Sequence, residues 1–155
     1  MTHEAEGGRL ERLERLELSA GALRLIRSAR VAHLATVDRD GQPLVIPICF
    51  AFDGKEFFSP IDEKPKQISP HKLKRLRNIA ENPKVSLIVD RYDEDWRRLA
   101  YLLITGRAKI LLRGLRHRRA VLLLRKKYSQ YGRMAIHERP IIVITPIRMK
   151  NWGNF

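Results

Sequence analysis

Three apolar segments in the first 60 residues follow one another too closely for helices to lie between them. Residues 31–38, 43–52 and 55–60 are rich in β-branched and aromatic side chains, which predicts three strands. Asp-Gly pairs at 40–41 and 53–54 separate them, as is typical of tight hairpin turns. A parallel, doubly wound sheet would need a helix in each connection. The sequence therefore predicts an antiparallel sheet.

The rest of the chain alternates helices with strands. About six strands are enough to close a small barrel, so the expected fold is mainly β, of the α+β class, with flanking helices. Residues 1–18 are predicted to be a helical extension, and residues 19–155 a single domain. The further predicted elements are helices at 20–28, 71–82 and 113–131, strands at 84–90 and 140–147, a long strand or a strand pair at 99–112 bent near Gly106, and a tail at 148–155.

The second predicted strand is apolar on both faces from Leu44 to Phe52. An antiparallel strand with one wet face should alternate between apolar and polar residues. Both faces are therefore expected to be covered, one by the barrel interior and the other by a subunit or ligand. Pro43 and Pro47 remove two ladder donors, which indicates a sheet edge or a bulge at Pro47.

Positive charge is concentrated in two blocks. The chain has a formal net charge of +14, of which residues 64–91 contribute +6 and residues 99–128 contribute +9. Such blocks favour an anionic partner, which could be nucleic acid, a membrane surface or a phosphorylated ligand.

Several classes of function lack support in the sequence. The single cysteine, Cys49, excludes an internal disulfide, and no histidine pair has the spacing of a metal site, so no metal is expected. No dinucleotide-binding glycine motif, P-loop or serine-hydrolase elbow is present. No apolar run is long enough to span a membrane and the first 18 residues lack a signal peptide, so a cytoplasmic protein is expected.

Three segments carry candidate binding groups. Lys64, Lys66, Lys72 and Arg75 could converge on a phosphate at a proline-stiffened turn, although a solvated basic loop would look the same. Trp96, beside Arg98, could cover a planar ligand or pack on the barrel rim. The basic helix at 113–127 could follow a nucleic-acid backbone or be a solvated face.

These segments together resemble the pyridoxamine 5'-phosphate oxidase-like flavoproteins, a family of split β-barrels. The first resembling block holds Leu34 to Val37, Asp40-Gly41, Pro43 and Pro47. The second holds Lys64, Lys66, Leu76, Asn82-Pro83 and residues 85–87. The third, which contains Asp95-Trp96 and Gly106-Arg107-Ala108, is similar to the branch described as probable enzymes dependent on the deazaflavin coenzyme F420.

The resemblance implies an antiparallel split β-barrel that forms a homodimer, with F420 or FMN bound at the subunit interface. It implies a hydride transfer between the deazaflavin and a small-molecule substrate, with no catalytic residue identified. The alternatives are an FMN-dependent oxidoreductase, a non-catalytic flavin- or haem-binding protein and, less favoured, a nucleic-acid-binding protein. Nothing in the C-terminal residues 148–155 matches the substrate-binding element of true pyridoxamine phosphate oxidases.

Site residues follow from the resemblance by position. Lys64 and Lys66 would hold the cofactor phosphate, helped by Lys72 or Arg75, in a turn that begins at Ser59. Other residues would contact the ring or close the site, some of them from the partner subunit. These are Thr36, Ile46, Pro47, Ile48, Trp96, Arg98 and Trp152.

Overall fold

Seven antiparallel strands form one curled sheet in the computed structural model, which describes residues 18–61 and 73–155. The sheet order is β2-β1-β5-β6-β7-β4-β3. The expected antiparallel, mainly β fold is thereby confirmed, while the predicted extension at 1–18 lies, except for Leu18, outside the described residues. The elements are α1 (Ala20–Ser28), β1 (Ala32–Val37), β2 (Pro43–Ile48), β3 (Ala51–Phe52), β4 (Phe57–Pro60), α2 (Lys74–Glu81), β5 (Lys84–Arg91), β6 (Ala100–Leu111), α3 (Leu115–Lys127) and β7 (Ile141–Gly153).

The first hairpin forms where the Asp-Gly turn predicts it. Strands β1 and β2 pair from Ala32 opposite Ile48 to Val37 opposite Pro43. Gly41 has a φ of 84°, a conformation that glycine adopts without steric cost. The Asp38 carboxylate accepts hydrogen bonds from the backbone N–H groups of Gln42 and Asp40, both at 2.9 Å, and the bond from Gln42 is the main reason that the pKa of Asp38 is lowered.

The predicted strand at 43–52 is wrong as a single element. It is two strands, β2 and β3, which lie at opposite edges of the sheet, so the edge position predicted for Pro47 is confirmed. The chain crosses between them at Phe50, whose side chain is fully buried. There the Tyr128 hydroxyl accepts from the Phe50 N–H at 3.1 Å and donates to the Arg30 carbonyl at 2.9 Å. These bonds replace the ladder bonds of a continuous strand.

The pairing of the long strand β6 is irregular near Gly106, where a bend is predicted, and the predicted C-terminal tail is wrong. The register between β6 and β7 shifts between Thr105 and Gly106, where an added Cβ would lie 2.4 Å from the Thr145 carbonyl oxygen. Beyond this bulge β7 continues to Gly153, and Trp152 pairs with Tyr101. Residues 148–153 show no clean alternation in hydropathy because all of them except the half-buried Met149 are exposed. Their strand structure depends on pairing with β6.

Two apolar clusters hold the helices on opposite faces of the sheet. Helices α1 and α2 place Leu25, Ile26, Leu76 and Ile79 against the inner face of the strands. Helix α3 packs on the outer face near β3, β4 and the start of β7. No helix in the described part of the chain is long and apolar enough to cross a membrane.

Candidate functional site

A cleft at the junction of β2, β4 and α2 brings together four of the predicted site residues. These are Pro47, Ile48, Ser59 and Arg75. The cleft has a volume of about 170 Å³, and Val31, Cys49 and Pro60 complete its lining. We call it the β2–β4 cleft. Val31, Pro47, Ile48 and Pro60 are apolar, the Arg75 guanidinium is the only charged side chain among the described lining residues, and Ser59 supplies a hydroxyl.

Residues on either side of the lysine-rich segment line this cleft, Pro60 before it and Arg75 after it. Ser59 and Pro60 end β4, where they pair with β7, and Ser59 is only 2% exposed. Arg75 lies in the first turn of α2 and is half-buried. Residues 62–72, which contain Lys64, Lys66 and Lys72, lie outside the described residues, so the roles predicted for these lysines stay predictions. The short chain distances to Pro60 and Arg75 are consistent with those roles.

Thr36 and Ile46 do not line the cleft. Ile46 packs against the main apolar cluster. Thr36 is 2% exposed, and its hydroxyl accepts a hydrogen bond of 3.0 Å from the Asn78 side-chain amide. This bond fixes α2 against β1 and thereby positions the helix that carries Arg75.

Sequence reasoning missed Asn78 because it placed the buried face of α2 incorrectly. The apolar pattern predicts that Ala80 faces the core, yet Ala80 is exposed and Asn78 is 2% exposed. The helix is rotated about its axis toward Asn78 and Arg75. The partner of Asn78, Thr36, is 42 residues away in the chain, so no local pattern indicates the pair.

Trp96, Arg98 and Trp152 lie together at another part of the sheet. Trp96 is 72% exposed, in a single 3₁₀ turn between β5 and β6, and Arg98 forms an ion pair of 3.3 Å with Asp93. Trp152 stacks on Tyr101 with ring centroids 5.5 Å apart. The Asn154 side-chain amide donates to the Arg97 carbonyl, which holds the turn against the end of β7. We call this surface the aromatic end; none of its three predicted residues lines the β2–β4 cleft.

The outer face of the sheet connects the cleft with the aromatic end. Pro47, His33, Ile88, Leu103 and Lys150 are neighbours across β2, β1, β5, β6 and β7, and their side chains share that face. Val45 lies in the next row and is 62% exposed. No other described residue of the chain therefore covers the outer side of β2, and the expectation that a subunit or ligand covers it stays a prediction.

Much of the basic helix α3 is used inside the chain. His117 is 2% exposed, with its Nε2 2.7 Å from the Arg139 carbonyl oxygen. Arg116 donates to both carboxylate oxygens of Glu56 at 2.7–2.8 Å, and Arg125 donates to the Tyr131 and Met134 carbonyls. Fewer cations than the sequence predicts are free to follow a nucleic-acid backbone, which weakens that alternative.

Comparison with known proteins agrees with this architecture. The family model described as pyridoxamine 5'-phosphate oxidase matches residues 19–153. A pyridoxamine 5'-phosphate oxidase homolog of Saccharomyces cerevisiae is 34% identical over 83 residues. That match covers 51% of this chain and 40% of the yeast protein, so the chain matches less than half of that relative.

Two solved structures share the fold over most of their length. One, an F420 reductase, is 26% identical, with a TM-score of 0.62, and the match covers 86% of this chain and 98% of that one. The other is HutZ, a haem storage protein from Vibrio cholerae, which is 17% identical, with a TM-score of 0.68. That match covers 90% of this chain and 94% of HutZ, and its low identity shows the fold alone.

Proposed function

Because the chain belongs to the pyridoxamine 5'-phosphate oxidase family, we propose that it is a homodimeric oxidoreductase that uses coenzyme F420. Hydride would pass between the deazaflavin and a small-molecule substrate. The observation that carries this proposal is the meeting of Ser59 and Arg75 in a cleft with several apolar lining side chains, including Val31, Pro47 and Ile48. The similarity to an F420 reductase over nearly all of that protein supports the choice of cofactor.

The residues of the β2–β4 cleft fit one end of such a cofactor. Arg75 and Ser59 can donate to a phosphate, and a guanidinium is well suited to bind phosphate oxygens. Pro47, Ile48 and Val31 offer apolar surface to a flat ring system. The volume of about 170 Å³ is small, however, because sites for ligands of this size usually measure roughly 300–1,000 Å³. The described residues of one chain therefore supply only part of the proposed site.

A second copy of the chain would supply the rest. The outer face of the sheet carries exposed apolar side chains, including Val45 and Leu103, and it runs from the cleft toward the aromatic end. A two-fold pairing through this face would place the same patch on both subunits. The aromatic end of one subunit, with Trp96, Arg98 and Trp152, would then cover the cleft of its partner. This arrangement accounts for the distance between the two sets of predicted residues.

In the proposed complex the bound deazaflavin supplies the hydride chemistry, and the protein binds and orients it. Arg75, Ser59 and the lysines at 64 and 66 would fix the phosphate. Pro47 and Ile48 would exclude water from one side of the ring, since neither side chain carries a hydrogen-bonding group. We assign no proton donor among the described residues of the cleft.

A non-catalytic flavin or haem carrier is the second candidate. The observation that favours it is the lining of the β2–β4 cleft, in which Cys49 is the only described side chain other than Arg75 and Ser59 that carries an ionisable or hydroxyl proton. An FMN-dependent oxidoreductase would use the same binding residues as the F420 enzyme. The F420 enzyme and the FMN enzyme differ in the cofactor that they bind, and the carrier differs from both because it binds its ligand without turnover.

Parallel titration of the purified protein with F420, FMN and haem tests the proposal. We expect quenching of F420 fluorescence with micromolar affinity, at one cofactor per chain, and weaker binding of the other two ligands. Reduced F420 is then mixed with a panel of electrophilic small molecules, and its reoxidation is followed by absorbance. Binding without any turnover would favour the carrier, and tighter binding of FMN or haem would overturn the choice of cofactor.

A further inference from the structure

A second cleft lies between the end of α1, the short strand β3 and the last turn of α3. We call it the α1–α3 cleft. Its volume is about 390 Å³, within the range of roughly 300–1,000 Å³ that is usual for sites that bind small organic ligands. It is lined by Ile26, Arg27, Arg30, Ala51, Phe52, Leu123, Lys126 and Lys127.

Half of that lining is cationic, and none of it is acidic. Within residues 18–61 and 73–155, none of Arg27, Arg30, Lys126 and Lys127 forms a salt bridge. Arg30 donates to the Lys127 carbonyl, and the Lys127 ammonium donates to the Ile26 carbonyl at 3.2 Å. These acceptors are neutral, so the described structure leaves the four positive charges without a counter-charge.

Lys127 is the least exposed of these four cations. Its ammonium lies 3.7 Å from the centroid of the Phe50 ring, and burial together with the neighbouring Arg30 lowers the pKa of Lys127 to about 8. The other groups facing it are Cys49, whose interaction acts weakly in the opposite direction, and the Tyr128 ring at 5.5 Å. An anion in the cleft would favour the charged form of Lys127 and reduce its repulsion from Arg30.

Apolar surface makes up the other half of the lining. Ile26 and Ala51 are buried, and Phe52 and Leu123 are half-buried and face the cleft between the cations. An inorganic anion would contact the cations and leave this surface wet. A ligand with an apolar body would bury it, which adds roughly 25 cal/mol for each Å² removed from water.

We propose that the α1–α3 cleft binds a small organic anion, in which a phosphate or carboxylate is attached to an aromatic or acyl body. The cleft shares no lining residue with the β2–β4 cleft. The two open on either side of the chain crossing at Phe50, since Cys49 lines one and Ala51 lines the other. This site is additional to the proposed cofactor site and needs no second subunit.

The test uses the full-length chain and 1-naphthyl phosphate, with inorganic phosphate for comparison, in isothermal titrations at pH 7.5. We expect saturable binding of one naphthyl phosphate per chain, at least tenfold tighter than that of inorganic phosphate. The double variant Arg27→Gln with Lys126→Gln should weaken this binding at least fivefold. Both side chains are exposed, and neither makes a hydrogen bond or ion pair with the described part of the chain, so the variant should fold normally.

Two matched variants decide how the result is read. Arg118→Gln with Arg119→Gln removes the same charge from exposed positions of α3 outside the cleft, and should change the affinity less than twofold. Lys64→Ala with Lys66→Ala should also leave it unchanged. The proposal is overturned if the Arg118/Arg119 variant loses as much affinity as the cleft variant, because net charge then explains binding. It is equally overturned if the lysine variant abolishes binding, if naphthyl phosphate binds no better than phosphate, or if neither binds.

Discussion

The β2–β4 cleft and the α1–α3 cleft lie on either side of Phe50, and they differ in volume and in the elements that supply their polar side chains. The β2–β4 cleft is small and takes its described polar side chains from the end of β4 and the start of α2. The α1–α3 cleft has more than twice the volume and takes all its cations from the end of α1, the residues just after it and the last turn of α3.

This difference teaches which properties should depend on the assembly. A site that one chain completes should bind its ligand whatever the oligomeric state. A site that one chain only half builds should fail when the subunit face is disrupted. The outer face of the sheet, with Val45 and Leu103 exposed, adjoins the first cleft through Pro47. No residue that lines the α1–α3 cleft lies on β2, β1, β5 or β6, the strands around this exposed patch.

The largest expected effect therefore comes from a charge on the outer face of β2. Val45→Asp should abolish the dimer and reduce F420 binding below detection, because it would bury a carboxylate in an apolar interface. Binding of naphthyl phosphate should stay within twofold of the original. Sedimentation gives the oligomeric state, and fluorescence and calorimetry give the two affinities.

Leu122→Asp is the matched control for this variant. Leu122 is 67% exposed on α3, so the substitution introduces the same charge at a similarly exposed aliphatic residue on another surface. We expect it to leave both the dimer and F420 binding intact. Loss of F420 binding in a Val45→Asp protein that still dimerises would contradict the idea that assembly completes the site.

A smaller but still large effect is expected from the lysine segment. Lys64→Ala with Lys66→Ala should weaken F420 binding by more than tenfold without dissociating the dimer. Each lost charge-assisted phosphate contact should cost about 1.5–3 kcal/mol. Affinity is measured by fluorescence quenching, and an unchanged value would remove the phosphate site from these residues.

A moderate effect on stability is expected from breaking the Asn78–Thr36 hydrogen bond, which positions α2 beside the β2–β4 cleft and has no part in the α1–α3 cleft. Asn78→Ala leaves the buried Thr36 hydroxyl without its donor, which should lower the free energy of unfolding by about 1–3 kcal/mol. Urea denaturation measures the loss. Adding Thr36→Val should recover part of it, since no polar group then remains unsatisfied. In the absence of urea, Asn78→Ala should weaken F420 binding, because the helix that carries Arg75 is then positioned less firmly. The binding of naphthyl phosphate should not change.

The smallest expected effect is the pH dependence of stability that arises from Lys127 in the α1–α3 cleft. Lys127 has a pKa of about 8 in the folded chain against an ordinary value near 10.5, so the unfolded chain holds the proton more tightly. Stability should therefore rise with pH from about 8 toward 10.5 through this group, and Lys127→Met should flatten the rise. The pKa of Tyr128, raised by burial to about 12, acts oppositely only above pH 10.

Thermal unfolding between pH 7.5 and 9.5 isolates the contribution of Lys127. Naphthyl phosphate should bind more weakly as the pH rises through 8, because the cleft then loses one positive charge. A stability profile that is the same in the wild type and in Lys127→Met would contradict the altered pKa of Lys127.

Local patterns in the sequence predict the elements that depend on near neighbours. The Asp-Gly turn at 40–41 is confirmed, the helix predicted at 71–82 ends at Glu81, and the pairing of the long strand is irregular at Gly106, where a bend is predicted. Each depends on backbone conformation or on a close approach that only particular residue types allow. The candidate residues Pro47, Ile48, Ser59 and Arg75 also come together, as the family resemblance implies.

Errors arose where distant contacts decide the structure. The apolar run at 43–52 has no local break, yet it divides at Phe50 because Tyr128, 78 residues later, binds the backbone there. Residues 148–153 look like a tail, yet they form a strand because β6 offers them a partner. Thr36 is predicted to contact the cofactor, yet its hydroxyl accepts a hydrogen bond from Asn78, which lies 42 residues later in the chain.

The sequence by itself determined an antiparallel, mainly β domain with two basic blocks, since strand pattern, turn chemistry and charge are all written in neighbouring residues. Only the tertiary structure decided how that charge is divided. It buried His117, paired Arg116 with Glu56, and gathered Lys126 and Lys127 with two arginines from the other end of the chain. Cations far apart in sequence become one site only when packing places them around the same cavity.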